Sequence, residues 1–558
     1  MIDRRWNSVL PVLAAQEAVA LAVPLVAGLV VGALVDGDSR AFLLGAAALV
    51  VLPFLDGLMF WRWELAQGLA AEDSGAALRR RLLAHLMSLP VPWFAEARTG
   101  AVLSRATSDV KFLVANHRVL FEAVRGLLAV SVVAVILLAQ HPLLPLVLAA
   151  TMIPFAINLR LATRTDDRAS VDVVDGADRM HEYFRERLDI LPLTRSSGAR
   201  RWELRECERM AHDVVLAADV AKASVDARNA ARIGSLEATG RIALLIGGGL
   251  LVVHGEIGVG AFVMAYGYTS RVSKAVVDWN AWHRQRGEAR ERRQRISAVF
   301  SAEPEPTGTT PAPDLVDVID LRQIRVDHPG RPAVLDVPAL TLHRGQVVAV
   351  VGASGGGKST LLDVLSGLIR PDQGTIVVDG SLTLEEVDRE QWRRRVTYMP
   401  QFPYFFTGSL RENLYYGHRA EPDEDRTDRL AAELGLDPVL QRAAQAPGGA
   451  LPRAALSGGE RQRLCLLRAC QSQRPLMALF DEPTSALDSL TEERAMKVIR
   501  DLGAAGPVVF VAHRLSTLRY ADRVLLLDGG RLVEDGDPQQ LLRQGGVFAA
   551  MCARELEP

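Results

Sequence analysis

The sequence predicts a multidomain membrane protein in which an all-α six-helix transmembrane domain is followed by an α/β domain of the phosphate-loop type. Three observations lead there. The 558 residues are too many for one hydrophobic core, and 49% apolar with 23% charged residues implies that the two kinds are segregated along the chain. Long uncharged runs fill the first half, and "GASGGGKST", Gly352 to Thr360, follows the buried-strand pattern "QVVAVV" in the second. The expected boundaries are residues 1–300 for the transmembrane domain, 301–314 for a linker and 315–558 for the second domain.

The membrane half is read from its apolar runs. Ala18 to Val35 is uncharged over 18 residues, enough at 1.5 Å per residue to cross most of a ~30 Å hydrocarbon layer. It is too long for a signal-peptide core and is read as a retained helix. Ala41 to Trp61 follows after only "DGDSR", so the two form an antiparallel hairpin. Val119 to Ile157 is broken once, by "QHP", and makes a second hairpin. Ile242 to Val253 and Ile257 to Ser270, separated by "HGE", make a weaker third.

Those three links carry one arginine, whereas the other connections hold Arg79, Arg80, Arg81, Arg98, Arg105, Lys111, Arg195, Arg200 and Arg201. Basic loops stay in the cytoplasm, which places the N-terminus and the second domain there. The connections Arg62 to Arg118 and Asn158 to Glu237 are too long for structureless loops and are read as helices continuing beyond the bilayer, with cytosolic bends near Arg98 to Asp109 and Ser197 to Glu203. Glu17, Asp56, Glu122, Arg125 and Arg241 lie in or beside spans and should pair with one another, lie at an interface or face water. Met264, Tyr266 and Tyr268 are read as helix packing and interface aromatics rather than a solute cavity.

Composition excludes some functions. Formal net charge is −2 and the basic run "HRQRGEARERRQRI" is mixed with acids and lacks interleaved aromatics, so it reads as a solvated helix face and no nucleic acid partner is expected. Four cysteines without metal-ligand spacing argue against a zinc site or a disulfide framework. Proline-rich "SAEPEPTGTTPAPD" marks the linker.

In the second domain, Gly352, Ala353, Ser354, Gly355, Gly356 and Gly357 let backbone N–H groups converge on an anion, Lys358 reaches the β/γ-phosphates, and Ser359, beside Thr360, offers a hydroxyl to Mg²⁺. The pattern binds a nucleoside triphosphate. "PLMALFDE" is a second buried strand ending in two acids, with Asp481 placed to hold the metal and Glu482 to polarise a water for in-line attack.

These motifs, with Gln401 in "YMPQFPYFF", "LSGGERQR", "LFDEPTSALD" and His513 in "VVFVAHRLST", resemble in order and spacing the nucleotide-binding domain of ATP-binding cassette (ABC) transporters. Six helices fused before it resemble the exporter-type half-transporter. The resemblance implies an ATPase that uses ATP and Mg²⁺ to move an amphipathic small molecule, lipid or peptide across the bacterial inner membrane. It also admits a siderophore or other solute importer on the same scaffold, or an ATP-gated pore or sensor. It implies a second half-transporter, identical or different, as partner: the signature loop Ser457, Gly458 and Gly459 would cap ATP held by the other subunit, and Asp488 would touch the partner domain. Gln401 would contact Mg²⁺ and the attacking water, and His513 would hold the γ-phosphate and Glu482. His328 stands where the family usually stacks a tyrosine on adenine, and Glu460 replaces the commoner glutamine of the signature.

Overall fold

A computed structural model describes residues 9–96, 99–150, 152–153, 156–157, 173, 176, 179–180, 182–188, 190–328, 331–417, 423–449, 456–472, 474–512 and 514–556. Two compact units emerge, one of Met1–Met87 with Arg98–Glu303 and the other of Ser88–Ala97 with Pro304–Pro558.

In the first unit, α1 (Val9–Asp36) turns through Gly37, whose φ of 74° suits glycine, into α2 (Ser39–Leu86). Asp38 caps α2 by accepting from the N–H groups of Arg40 and Ala41, both at 3.0 Å. At 48 residues α2 is roughly 72 Å long, far more than a bilayer needs, so it continues past the membrane as its charge-bearing second half predicts. α3 (Val110–Gln140) ends where His141 turns extended, and the helix resumes at Leu143 after Pro142. α4 (Ala217–Val253) and α5 (Val259–Phe300) are joined by a turn around Gly255.

Among the described residues four helical runs are long and apolar enough to cross a membrane: Val9–Asp36, Ser39–Leu86, Val102–Gln140 and Arg200–Val253. The expected fourth crossing, from Leu143 on, lies partly outside the described residues. In α5 the apolar stretch is cut short by Arg271, Lys274 and Asp278, although the helix itself runs 42 residues. The bend expected near Arg98 to Asp109 begins outside the described residues, between the helices Val91–Glu96 and Thr99–Ser104. The chain breaks after α2, where Leu89–Pro90 precedes the short helix Val91–Glu96, while Arg105–Asp109 is a wide helical turn continuous with α3. Proline disfavours helical backbone in the residue before it, which sets the break at Pro90. The second bend lies at Ser197–Ala199, between Leu191–Ser196 and Arg200–Met210.

Two features hold the helices together. Gly28 of α1 and Gly260 of α5 touch backbone to backbone: a methyl group on Gly28 would sit 2.6 Å from the Gly260 carbonyl oxygen, and one on Gly260 2.4 Å from that of Gly28. Without a hydrophobic effect between helices in lipid, such close approach supplies much of the packing. Tyr268 is fully buried and its hydroxyl donates to the Leu21 carbonyl at 2.8 Å, so it packs helices as expected, beside buried Met264.

The second feature is a charge network. Arg125 is 5% exposed, bonds Glu122 at 2.6 Å and Gln16 at 3.2 Å, and lies 3.8 Å from Glu17. Arg271 reaches Glu17 at 3.8 Å and Asp56 at 4.0 Å, and the Trp63 indole donates to Glu122 at 3.1 Å. The ionisable residues of the spans thus pair across α1, α2, α3 and α5, and Arg241 pairs with Glu237 at 3.7 Å.

The second unit is built on one ten-stranded sheet. Its strands are β1 (Val318–His328), β2 (Arg331–His343), β3 (Val347–Val351), β4 (Gln373–Val378), β5 (Leu382–Thr383), β6 (Val396–Met399), β7 (Met477–Phe480), β8 (Val508–Val511), β9 (Arg523–Asp528) and β10 (Arg531–Gly536). They lie in the order β5-β4-β1-β2-β10-β9-β3-β8-β7-β6. β9, β3, β8, β7 and β6 are mutually parallel, and β1 pairs antiparallel with β2 and β4.

Every residue of β3 is buried: Val347, Ala349 and Val351 point into one core and Val348 and Val350 into the other. That is why the strand reads as an unbroken apolar run. α6 (Lys358–Leu365) covers one face, and α7 (Gly458–Ala469) with α8 (Ser489–Asp501) covers the other. The proline-rich segment is bound along this unit: Gly308 and Thr310 donate to the Val387 and Glu386 carbonyls, and Glu305 pairs with Arg393 at 2.5 Å and Arg389 at 3.5 Å.

Replacing Arg125 by Met would remove the buried cation between Glu17 and Glu122, leaving buried Glu17, among the described residues, only Arg271 at 3.8 Å. Breaking a buried pair from one side costs about 3–5 kcal/mol, so R125M should unfold at a clearly lower temperature in detergent or nanodiscs, whereas Arg241→Met, at a part-exposed pair, should leave the midpoint nearly unchanged.

Candidate functional site

The parallel strands end on one edge, and the phosphate loop, Gln401, Asp481 and Glu482 gather at the ends of β3, β6 and β7. Gly352 leaves β3 with φ 148°, and Gly355 and Gly357 follow at 77° and 90°. Space forbids side chains here as firmly as conformation does. A methyl group on Gly352 would lie 1.9 Å from the Leu527 carbonyl oxygen at the end of β9, and one on Gly357 2.6 Å from that of Val334 in β2. The loop is pressed against two strands, with Ala353, Ser354, Gly355 and Ser359 exposed and Thr360 half-buried. α6 starts at Lys358, so its N-terminal dipole supports an anion at the same place.

The Lys358 ammonium is nearly buried and donates to the carbonyls of Gly352 and Ala353 at 2.9 and 2.8 Å. Burial holds its pKa below the usual lysine range, and Glu482 and Asp481 oppose that shift, which places both acids within electrostatic reach of it.

Asp481 is buried directly after β7, with its N–H donating to the Met399 carbonyl of β6 at 2.8 Å. Glu482 follows with φ 51°, a conformation uncommon for a residue with a side chain and concentrated at functional sites. Its carboxylate accepts from the Gln401 amide at 2.7 Å, so two residues 81 apart in sequence meet across β6 and β7. A cavity of ≈240 Å³ lies beside Glu482, lined also by Ser485, Phe510 and Arg514. His513 lies outside the described residues.

Sequence reasoning missed three positioning side chains. Gln462 of α7 donates to the Glu482 carbonyl at 2.7 Å and to Ser485 at 3.0 Å and accepts from the Ala486 N–H at 2.8 Å, tying the signature helix to the acidic turn. The Tyr398 hydroxyl of β6 donates to Asp363 of α6 at 2.8 Å, and burial followed by the Asp363 charge holds its phenol well above the usual range. Arg514 reaches Glu492 of α8 at 2.8 Å. Gln462 stood inside a recognised motif, but no spacing rule says where a side chain points.

The signature turn is a separate cradle. Ser457 caps α7 in a reciprocal box: its hydroxyl accepts from the Glu460 N–H at 3.2 Å and Glu460 accepts from the Ser457 N–H at 2.7 Å. Hydrogen bonds from Ser457 hold the Glu460 carboxyl below the usual range, and Arg442 adds to that. Glutamate at this position therefore completes a cap. Gly458 is exposed with nothing within 4 Å of where a methyl group would stand, whereas Gly459 would meet the Ala486 carbonyl at 3.0 Å. Among the described residues no hydrogen bond or ion pair joins Ser457–Gly459 to the phosphate loop. Asp488 caps α8, accepting from the Thr491 N–H and hydroxyl at 3.1 and 2.9 Å, which holds its carboxyl below the usual range. His328, at the end of β1, is exposed and acts electrostatically on Asp363 of α6, beside the phosphate loop.

The family model for the ABC transporter transmembrane region matches residues 9–275, and that for the ABC transporter matches 335–485. The chain belongs to the ABC transporter family. It has the exporter-type half-transporter layout, a helical membrane region followed by the ABC ATP-binding domain. The mycobactin import ATP-binding/permease protein of Mycolicibacterium smegmatis is 42% identical over 236 residues, 41% of this chain and 39% of that protein. The fatty acid ABC transporter ATP-binding/permease protein of Mycobacterium tuberculosis is 26% identical over 509 residues, 88% and 78% of the two chains. A bacterial Atm1-family ABC exporter solved with ATP bound superposes with a TM-score of 0.81 at 23% identity, covering 100% of this chain and 99% of that one, a likeness of fold.

Two substitutions separate binding from chemistry. Lys358→Ala should weaken binding of a fluorescent ATP analogue at least tenfold. Glu482→Gln should keep that affinity and lower steady-state ATP hydrolysis by about 10²–10⁴, the range for a positioned general base.

Proposed function

We propose that this chain is one half of an ATP-driven transporter in the bacterial inner membrane, with its N-terminus and ATP-binding domain cytoplasmic, exporting an amphipathic solute by alternating access. The observation that carries the reading is the 2.7 Å bond from Gln401 to Glu482 at the end of β7, which aims a carboxylate beside a phosphate loop in a chain that also carries membrane helices.

The phosphate-loop N–H groups and Lys358 hold the triphosphate. Ser359, Asp481 and Gln401 fit Mg²⁺, which when bound offsets the charge of the β- and γ-oxygens. Glu482 accepts a proton from the water that attacks the γ-phosphorus in line. The bond from that phosphorus to the β–γ bridging oxygen breaks, and ADP and phosphate leave. Gln401 orients the Glu482 carboxylate, His513 completes the γ-phosphate contacts, and His328 stacks on adenine.

A second half-transporter, identical or different, supplies the opposite cradle, with Ser457, Gly458 and Gly459 capping the partner's ATP and Asp488 near the domain interface. Support comes from the open space around Gly458 and the absence of described contacts between the two cradles within one chain. ATP then bridges two domains, and hydrolysis releases them, shifting the membrane helices between conformations that differ in interdomain affinity.

A reading of uptake rather than export is favoured by the 42% identity with a mycobactin import protein. The side from which a solute stimulates hydrolysis in sealed proteoliposomes distinguishes the two directions.

Gly458→Ala tests the shared site. With no neighbour to meet, the added methyl should change the unfolding temperature little while lowering vanadate-sensitive ATP hydrolysis of the chain expressed alone at least tenfold. Unchanged hydrolysis in G458A would contradict capping by a second subunit.

A further inference from the structure

The basic run of α5, read from sequence as a solvated face, divides into two faces in the structure. Glu288 pairs with Arg292 at 2.6 Å, Glu291 pairs with Arg295, and Arg292 also bonds buried Asp109 at 2.8 Å. These pairs consume the acids of the run. His283, Arg286, Arg290 and Arg293 recur at intervals of three, four and three residues, which sets them on one helical face. No described carboxylate lies within 4 Å of Arg286, Arg290 or Arg293.

All four line a cavity of ≈720 Å³ closed on the other side by Asn116, His117 and Leu120 of α3. Asn116 is 7% exposed and its carbonyl oxygen has no hydrogen-bond partner.

The same face continues toward the apolar end of α5 as Trp279, Val276 and Val272, again at intervals of three and four. There it lines a second cavity of ≈470 Å³, bounded by Val130 and Val133 of α3 and by Leu148 and Met152, apolar throughout except for Asn280. Trp279 and Trp282 mark the junction with ring centres 4.9 Å apart, and the Arg286 guanidinium lies 5.1 Å from the Trp282 ring. From Val272 to Arg293 the seam runs roughly 32 Å. A cationic, aromatic-edged cavity in line with an apolar one along two helices is complementary to a molecule with an anionic head and a hydrocarbon tail.

We propose that the seam between α3 and α5 binds an anionic amphiphile, its carboxylate or phosphate head among Arg286, Arg290, Arg293 and His283 and its tail against Val133, Val276 and Trp279. The assignment deepens the transporter reading and rests on it for the claim that this molecule is cargo. Guanidinium groups suit such heads because they present paired donors to two oxygens at once. The charge network around Arg125 lies at other positions of α1, α2, α3 and α5 and is paired within itself, so its carboxylates do not compete with the head for these arginines.

The test uses the full-length protein in phosphatidylcholine nanodiscs, titrated with the fluorescent fatty acid cis-parinarate against empty nanodiscs. Saturable binding is expected, weakened at least tenfold in the combined variant Arg286→Gln/Arg290→Gln/Arg293→Gln and also in Val133→Trp, which fills the apolar cavity. Hexadecyltrimethylammonium, with a tail and a cationic head, should displace the probe at least tenfold less well than palmitate. Displacement by phosphatidylglycerol in the disc would assign the head to a membrane lipid, and its absence to a free amphiphile. Binding by the triple variant within twofold of the parent, or equal displacement by the cationic amphiphile, overturns the proposal. Basal ATP hydrolysis, measured in the same samples, should be unchanged by the arginine substitutions. A parent protein that binds cis-parinarate but hydrolyses no ATP would count against the transporter reading and leave the binding site standing.

Discussion

A loop that surrounds phosphate with backbone N–H groups must have its back against something, and in this protein the something is two strands. Gly352 lies against the Leu527 carbonyl at the end of β9, and Gly357 against that of Val334 in β2. Any side chain at either position would push the loop off the sheet and misplace Lys358, which hangs from the loop's own carbonyls. The rest of the site is registered to that contact. β7 is parallel to β8, which is parallel to β3, so the acids after Phe480 emerge at the same edge as the glycines after Val351.

The second half of the chemistry is assembled by side chains that bridge elements. Gln401 reaches Glu482, Gln462 holds the backbone of the same turn from the signature helix, and Tyr398 joins the neighbouring strand to the phosphate-loop helix. Glu482 is thus gripped at its carboxylate and at its carbonyl while its backbone sits in an uncommon conformation. Gln462 links the signature helix directly to the acidic turn.

The membrane unit follows the same logic with different forces. Where lipid offers no hydrophobic gain for helix contact, glycines let α1 and α5 approach, and buried charges are tolerated because each has a counter-charge on another helix. Both devices commit α5 early in its course, and its later turns are left with arginines that its own glutamates do not neutralise. Among the described residues, α5 therefore carries structural ion pairs on one face and arginines without a carboxylate partner on another.

Much of this was legible in the residues. The uncharged runs, the short links between them, the buried strand before the phosphate loop and the paired acids each follow from local rules of length, periodicity and backbone freedom, so they determined a helical membrane part joined to a sheet-based nucleotide domain. The close pair Gly28 and Gly260 had a partial signal in the spacing of Gly28 and Gly32, but its partner lies more than 200 residues away. Only the tertiary structure decided that Arg125 answers Glu17, that Gln401 meets Glu482, and that the basic face of α5 meets Asn116 and His117 of α3 across a cavity. Those are pairings between distant residues, and helical or strand periodicity fixes which residues share a face while saying nothing of what that face will meet.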